Sequence, residues 1–268
     1  MKTTRLKNIV ILTLVIANAF LMLRLVMRYH DMREVRESMV SEVVTLFASS
    51  GIALSRESVP DDIALDIIHL TRDTQRERAL AEAVLGPTSA VNAGGGLYRY
   101  YNPNGTFLFR SNGVFECVAS MEVDDAAAFC AQLCTAFGYA GMESTLDVHG
   151  TGKVTALRVS GSCGTVFNCT ITFAFEKGVL TAVDGVYAPD GNAAAAIERP
   201  VSAVSALVKF LDYRNSTGVV CTEVSYMESG CLLQSGASAP MRLVPVWHIA
   251  TPSGSFYVNQ SNGEVSRG

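Results

Sequence analysis

Seven cysteines and four histidines are the side chains of this 268-residue chain best suited to covalent or metal chemistry. The cysteines are Cys117, Cys130, Cys134, Cys163, Cys169, Cys221 and Cys231. No C-x-x-C pair occurs, and the one C-x-x-x-C falls inside a helical pattern, so a structural zinc site has little support. Cys130 and Cys134 lie one turn apart, sharing a face but poorly placed to bond each other; each is free to pair with a strand below. The odd count leaves at least one thiol free. Gly161-Ser162-Cys163-Gly164 is the best candidate for a nucleophile turn, yet no histidine is indicated as its base. His30, His69, His149 and His248 stand isolated in the sequence. Gly94-Gly95-Gly96 lacks the Lys and Ser/Thr that would grip phosphate and magnesium, and no G-x-S-x-G or H-E-x-x-H is present. The expectation is no catalytic residue, no metal and no cofactor, with buried cysteines acting as small hydrophobes and closing one or two disulfides.

Charge narrows the partners. The first 28 residues carry Lys2, Arg5, Lys7, Arg24 and Arg28 and no acid, leaving sixteen cations against twenty-five acids beyond them, a net of −9. A body this acidic argues against nucleic-acid binding, which needs a basic face. From Ile9 to Leu23 the run IVILTLVIANAFLML is apolar except for Thr13 and Asn18, and it continues past Arg24 to Met27. That length is near the ~20 residues a helix needs to cross hydrocarbon. The basic tail favours a cytoplasmic N-terminus and an outside body. The competing reading is a cleaved signal peptide, for which Ala17-Asn18-Ala19 offers a small-x-small site, although Phe20–Leu23 follows it where cleavage normally ends the apolar run. Thr13, Leu14, Ala17, Asn18 and Leu21 fall on one face, where an amide in hydrocarbon needs a partner and small neighbours admit another helix. Thr13, Ala17 and Asn18 are the candidate contact residues.

The elements follow from periodicity. Val35, Met39, Val43 and Leu46 at helical spacing predict that the membrane helix continues as a stalk to Ser50-Gly51. A second helix is predicted over Val59–Leu85, with Ser58 and Asp61 as a capping box, Gly86-Pro87 as the stop and Arg72–Arg78 as a solvated charged face. Thr88–Gly96 reads as a linker. Leu97–Tyr101, Thr106–Arg110 and Val114–Ser120 read as a meander with Asn/Gly turns. A helix capped by Asp124 runs to Phe137, burying Ala126, Phe129, Cys130, Leu133 and Phe137. Strands are predicted near Ser144–His149, Val154–Ser160, Thr165–Phe175 and Val179–Tyr187. Pro200 opens a further helix with Val201, Val204, Leu207, Val208 and Leu211 inward, followed by Val219–Tyr226, Arg242–Ala250 and Ser255–Asn259 as strands. The fold class is α+β: an N-terminal transmembrane helix, then antiparallel sheets with packed helices in two sub-domains. The expected division is 1–28 tail and membrane helix, 29–96 stalk and linker, 97–192 an α+β sub-domain and 193–268 a smaller helix-plus-strands module. The helix-then-meander order is seen twice.

The closing stretch Leu243-Val244-Pro245-Val246-Trp247-His248-Ile249, with Gly254–Asn259 and Asn262-Gly263-Glu264-Val265, resembles the terminal hairpin of the YycH/YycI family and of PepSY-like modules. The helix Val201–Tyr213 before it fits the same pattern, as do Gly51-Ile52, Pro60 and Leu85-Gly86. The resemblance covers about residues 1–27 and 197–265. It implies a non-enzymatic, single-pass accessory protein of the cell membrane. Such proteins modulate a WalK-like sensor histidine kinase that governs cell-wall metabolism, by direct binding and beside a sister accessory protein. The alternative is an anchored or secreted PepSY-like inhibitor or chaperone of a hydrolase. The sign of regulation and any ligand of the body stay open.

Overall fold

The computed structural model describes residues 2–236 and 240–268, apart from the side chains of 2–13, 16, 25–26, 28–32 and 192–195. Helix α1 (Lys2–Ser49) is continuous from the basic tail to the body. Gly51, at φ +74°, then turns the chain into β1 (Ala53–Leu54), a single 3₁₀ turn (Arg56–Ser58) and β2 (Ile67–Leu70).

From Thr74 onward one plan repeats three times. Helix α2 (Thr74–Leu85) leads into β3 (Ser89–Gly94), β4 (Leu97–Asn102), β5 (Gly105–Phe109) and β6 (Val114–Glu122). Helix α3 (Ala126–Phe137) leads into β7 (Tyr139–Ser144), β8 (Gly152–Ser160), β9 (Gly164–Glu176) and β10 (Val179–Val186). After β11 (Gly191–Ala195), helix α4 (Ala203–Thr217) and the short β12 (Glu223–Val224) lead into β13 (Tyr226–Gln234), β14 (Arg242–Thr251), β15 (Gly254–Asn259) and β16 (Val265–Arg267). Within each unit the four strands pair in sequence order, all antiparallel. The class is α+β.

The first two units join through their last strands. β6 and β10 run antiparallel from Val186 opposite Val114 to Val179 opposite Glu122. Helices α2 and α3 share the resulting face and one core with Phe107, Phe109 and Phe115, whose ring centroids lie 4.8–5.4 Å apart. Each fully buried ring of this size contributes about 1.5–3 kcal/mol of transfer free energy. The third unit has its own core. Trp247, Ile249, Phe256 and Val258 from β14 and β15 meet Leu207, Phe210 and Leu211 of α4, together with Val40, Val43 and Phe47 of α1.

Several expectations are corrected. The helix predicted over Val59–Leu85 is only its last twelve residues. Pro60 holds Val59 in extended backbone (φ −95°, ψ 103°), and Ile67–Leu70 form a strand between β11 and β14, where β-branched residues pack well. The capping box at Ser58 is replaced by Asp73, whose carboxylate accepts from the backbone N–H groups of Gln75 and Arg76. Most of the linker, at Ser89–Gly94, is the edge strand β3. The strand expected at Ser144–His149 lies earlier, at Tyr139–Ser144. Val35, Met39 and Leu46 of the predicted stalk stripe are exposed; the buried set is turned around the helix to Val40, Val43 and Phe47. Val208 is exposed and Phe210 takes the inward place on α4. The repeat occurs three times, not twice.

Candidate functional site

Ala17 and Asn18 lie exposed on α1; the Thr13 side chain lies outside the described residues. Among the described residues, no helix is long and apolar enough to cross a membrane; the side chains of residues 9–13 and 16, part of the apolar run, are not among them. What the structure adds is where α1 is held. Its last turns are rooted in the third unit: Phe47 is fully buried and stacks on Phe210 at 6.5 Å. Arg36 donates to the carbonyl of Pro60 at 2.7 Å and pairs with Asp61 at 3.1 Å. Arg56 donates to the carbonyl of Glu37 at 2.9 Å. Beside the buried Val40, Val43 and Phe47, the side chains of Val35, Met39 and Leu46 stay exposed, Val35 and Met39 at 54% and 49%; farther up, every described side chain from Ala17 to Arg24 is exposed, Asn18 and Leu21 among them, and Leu14 is at 57%. In the sequence a four-and-three spacing links these positions through Leu25 and Met32, but its two remaining places are charged, Arg28 and Glu42, so the apolar heptad seam is interrupted twice.

A second feature is the cleft of about 830 Å³ between the first and third units, bordered by Leu70, Arg72, Leu97, Arg110 and Met241. Its size suits a small ligand, but its two cations are already engaged. Arg72 holds Glu77 through two hydrogen bonds of 2.7 and 2.9 Å, donates to the carbonyl of Gly96 and lies over the Tyr98 ring. Arg110 pairs with Glu116 at 3.1 Å. Glu77 is 3% exposed, so part of the charge run expected to be solvated is an inward ion pair. Burial raises the Glu77 carboxyl above its ordinary range, and the Arg72 guanidinium only partly offsets this.

The structure also assembles a polar ladder that the sequence concealed. Glu228, His248 and Ser255 lie on β13, β14 and β15. His248 Nδ1 is 3.3 Å from Glu228 Oε1 and Nε2 is 3.0 Å from Ser255 Oγ. Burial lowers the His248 pKa against the opposing pull of Glu228. The imidazole is therefore neutral near pH 7, with Nδ1–H donating to the carboxylate and Nε2 accepting from the Ser255 hydroxyl. The connectivity is that of a nucleophile, base and acid. Its setting differs from a nucleophile elbow: Ser255 sits within a strand paired on both sides, and Phe167 and Tyr257 pack on the imidazole at 4.5 and 5.2 Å. The cleft between the first and third units is lined by none of the three. Only the pairing of Glu228 opposite His248 reveals the ladder, since the residues are 20 and 7 apart in sequence.

All seven cysteines are buried and free, so the expected disulfides are not closed. Burial pushes Cys117, Cys130 and Cys169 up to about 12, which makes them inert at neutral pH. Among the described residues no three of His, Cys, Asp and Glu converge as a metal site requires.

The chain is thus an α+β protein of three helix-and-meander units. No family model matches it, and no curated protein matches it. Among solved structures, an uncharacterized protein from Eubacterium rectale aligns at 10% identity and a TM-score of 0.43, covering 76% of this chain and 81% of that one. The YpeB C-terminal domain of Bacillus megaterium aligns at 12% identity and a TM-score of 0.37, covering 74% and 98%. Superpositions this loose record a partial likeness of arrangement and nothing of activity.

Proposed function

We propose that this chain is a membrane-anchored, extracytoplasmic binding protein that modulates a sensor histidine kinase, and that its three units are PepSY-like modules carried on the anchor helix. The observation that supports it best is the uncovered seam on α1. The last turns of the helix are buried in the third unit through Val40, Val43 and Phe47, while Leu14, Asn18, Leu21, Val35, Met39 and Leu46 stay exposed along it. A partner helix lying along that seam contacts a rod whose end is fixed in the body, so a change in the body turns or shifts the rod. Asn18 supplies the polar contact that sets register, a use well attested for a lone amide in a helix seam.

The test is co-purification of the kinase with the full chain from membranes, alongside the output of its response regulator. Asn18→Leu is expected to weaken capture several-fold, in line with about 1–2 kcal/mol for a hydrogen bond between membrane helices. Val35→Asp with Met39→Asp is expected to abolish it without unfolding the body, because both residues are exposed. Unchanged capture and output in both variants overturns the reading.

A further inference from the structure

The third unit meets the second along a narrow seam. β9 and β13 run parallel there, with Val166 opposite Cys231 as their registered pair. Below it the Asn168 side chain substitutes for further ladder: its amide donates to the Leu233 carbonyl at 2.8 Å and its oxygen accepts from the Leu233 N–H at 2.7 Å. Close approach is built in at Gly230, where a Cβ would stand 2.5 Å from the Thr165 carbonyl and 2.6 Å from the Phe167 ring. Above the registered pair, Cys163 ends the turn that leads into β9 and is buried in the same cluster as Cys231. Both belong to the small apolar cluster that fills the seam with Ile68, Val166 and Leu243.

We infer that Cys163 and Cys231 are a modification site, closing a disulfide that fastens the second unit to the third. The two residues come from different units, 68 positions apart in sequence, and the native fold alone brings them together. Cys163 is the thiol that reacts first. It lies in the turn between β8 and β9 with Ser162 and Gly164 exposed on either side, so opening the turn uncovers it without disturbing the sheet. The neighbouring Cys231 thiol lowers its pKa, with a further contribution from Ser160, against the effect of burial. The partner thiol is raised, first by its proximity to Cys163 and then by burial. The Cys163 thiolate attacks one sulfur of an external disulfide, expelling the other as a thiolate. Cys231, losing its proton, then attacks the Cys163 sulfur and expels the second. The two cysteines lose two electrons and two protons; the external disulfide gains both and becomes two thiols. Formation in cells rests on the extracytoplasmic reading above, since an oxidising compartment supplies such an acceptor; the pairing does not.

The full chain, purified in detergent, is incubated with oxidised glutathione, quenched with acid, alkylated and mapped by mass spectrometry. The expected result is one cross-linked peptide pair joining Cys163 to Cys231, a mass lower by the two lost hydrogens, and five alkylated thiols. Cys169→Ser retains the bridge; Cys163→Ser and Cys231→Ser each lose it. The oxidised protein is expected to melt roughly 5–15 °C above its reduced form, reported by Trp247 fluorescence. Seven alkylated thiols in the folded wild-type protein, or a bridge from Cys169 instead, overturns the inference. A bridge that forms in the purified chain but is missing from acid-quenched cells upholds the pairing and counts against the extracytoplasmic location.

Discussion

The first two units and the third are built from the same succession of elements, yet they are held in opposite ways. The first two share a long antiparallel ladder through β6 and β10 and a single core beneath two helices. The third touches the second through a narrow parallel seam and an amide clamp, and is supported further by β2, which pairs with β14, and by α1, whose Phe47 completes its core. Repetition of a plan therefore does not imply equal coupling. Units one and two share one ladder and one core, whereas the core of the third unit is completed by α1.

The sharpest way to break that comparison is to remove one ring from each side. Phe47→Ala and Phe107→Ala both delete a fully buried phenyl group, at an expected loss of about 3–5 kcal/mol each. Trp247, the sole tryptophan, sits in the core that Phe47 enters and reports the third unit alone. Phe47→Ala is expected to lower the fluorescence transition more than the far-ultraviolet circular dichroism transition, and Phe107→Ala to do the reverse. If both variants shift both probes equally, the body unfolds as one cooperative unit and the distinction is lost.

The same contrast explains which parts were legible in the sequence. Local signals carried β4 to β6, where Asn/Gly turns punctuate alternating strands, and α3, whose end at Gly138 takes the expected left-handed conformation (φ +70°). Asp125 rather than Asp124 caps that helix, a shift of one residue. What failed was decided by distant partners. Residues 59–73 have helix-like apolar spacing, but Asp62 accepts from the Ala203 N–H at the start of α4, and Ile68 and His69 pair with Leu243 and Arg242. With α2 read as the end of a stalk and β3 as a linker, the first unit lost its helix and first strand, so the third copy of the plan was hidden. The stalk stripe was misplaced around the helix because exposed Val35, Met39 and Leu46 are as apolar as the buried set. The polar ladder and the thiol pair depend wholly on strand register.

Acidification sharpens the comparison further, because the two sides respond with opposite sign. His248 titrates below the ordinary histidine range in the folded protein, first because burial opposes its charge. As pH falls below about 6.5 the unfolded chain takes up a proton that the native third unit refuses, so this group costs stability in that window. Glu77, in the first unit, titrates above the ordinary carboxylate range because of its own desolvation. Its contribution is complete at pH values below that range and is lost as pH rises through the raised value, so acidification restores stability there. Denaturation followed by Trp247 fluorescence between pH 7 and 5 is expected to show a falling midpoint. His248→Phe is expected to flatten it, and an unchanged slope in that variant removes His248 as the cause.

The smallest expected effect is at Ser255, and it bears most directly on whether the third unit carries out chemistry. Ser255→Ala removes one hydrogen bond to a neutral imidazole, worth about 1 kcal/mol or less after the hydroxyl's exchange with water. A serine nucleophile also needs a pocket and backbone donors aimed at the developing oxyanion, whereas β15 spends its backbone on β14 and β16. A fluorophosphonate probe at saturating concentration is therefore expected to leave Ser255 unlabelled at pH 8, where the imidazole is fully neutral. Labelling that disappears in Ser255→Ala and in His248→Phe, with the fold intact by Trp247 fluorescence, converts the ladder from a strut of the third unit into a catalytic triad.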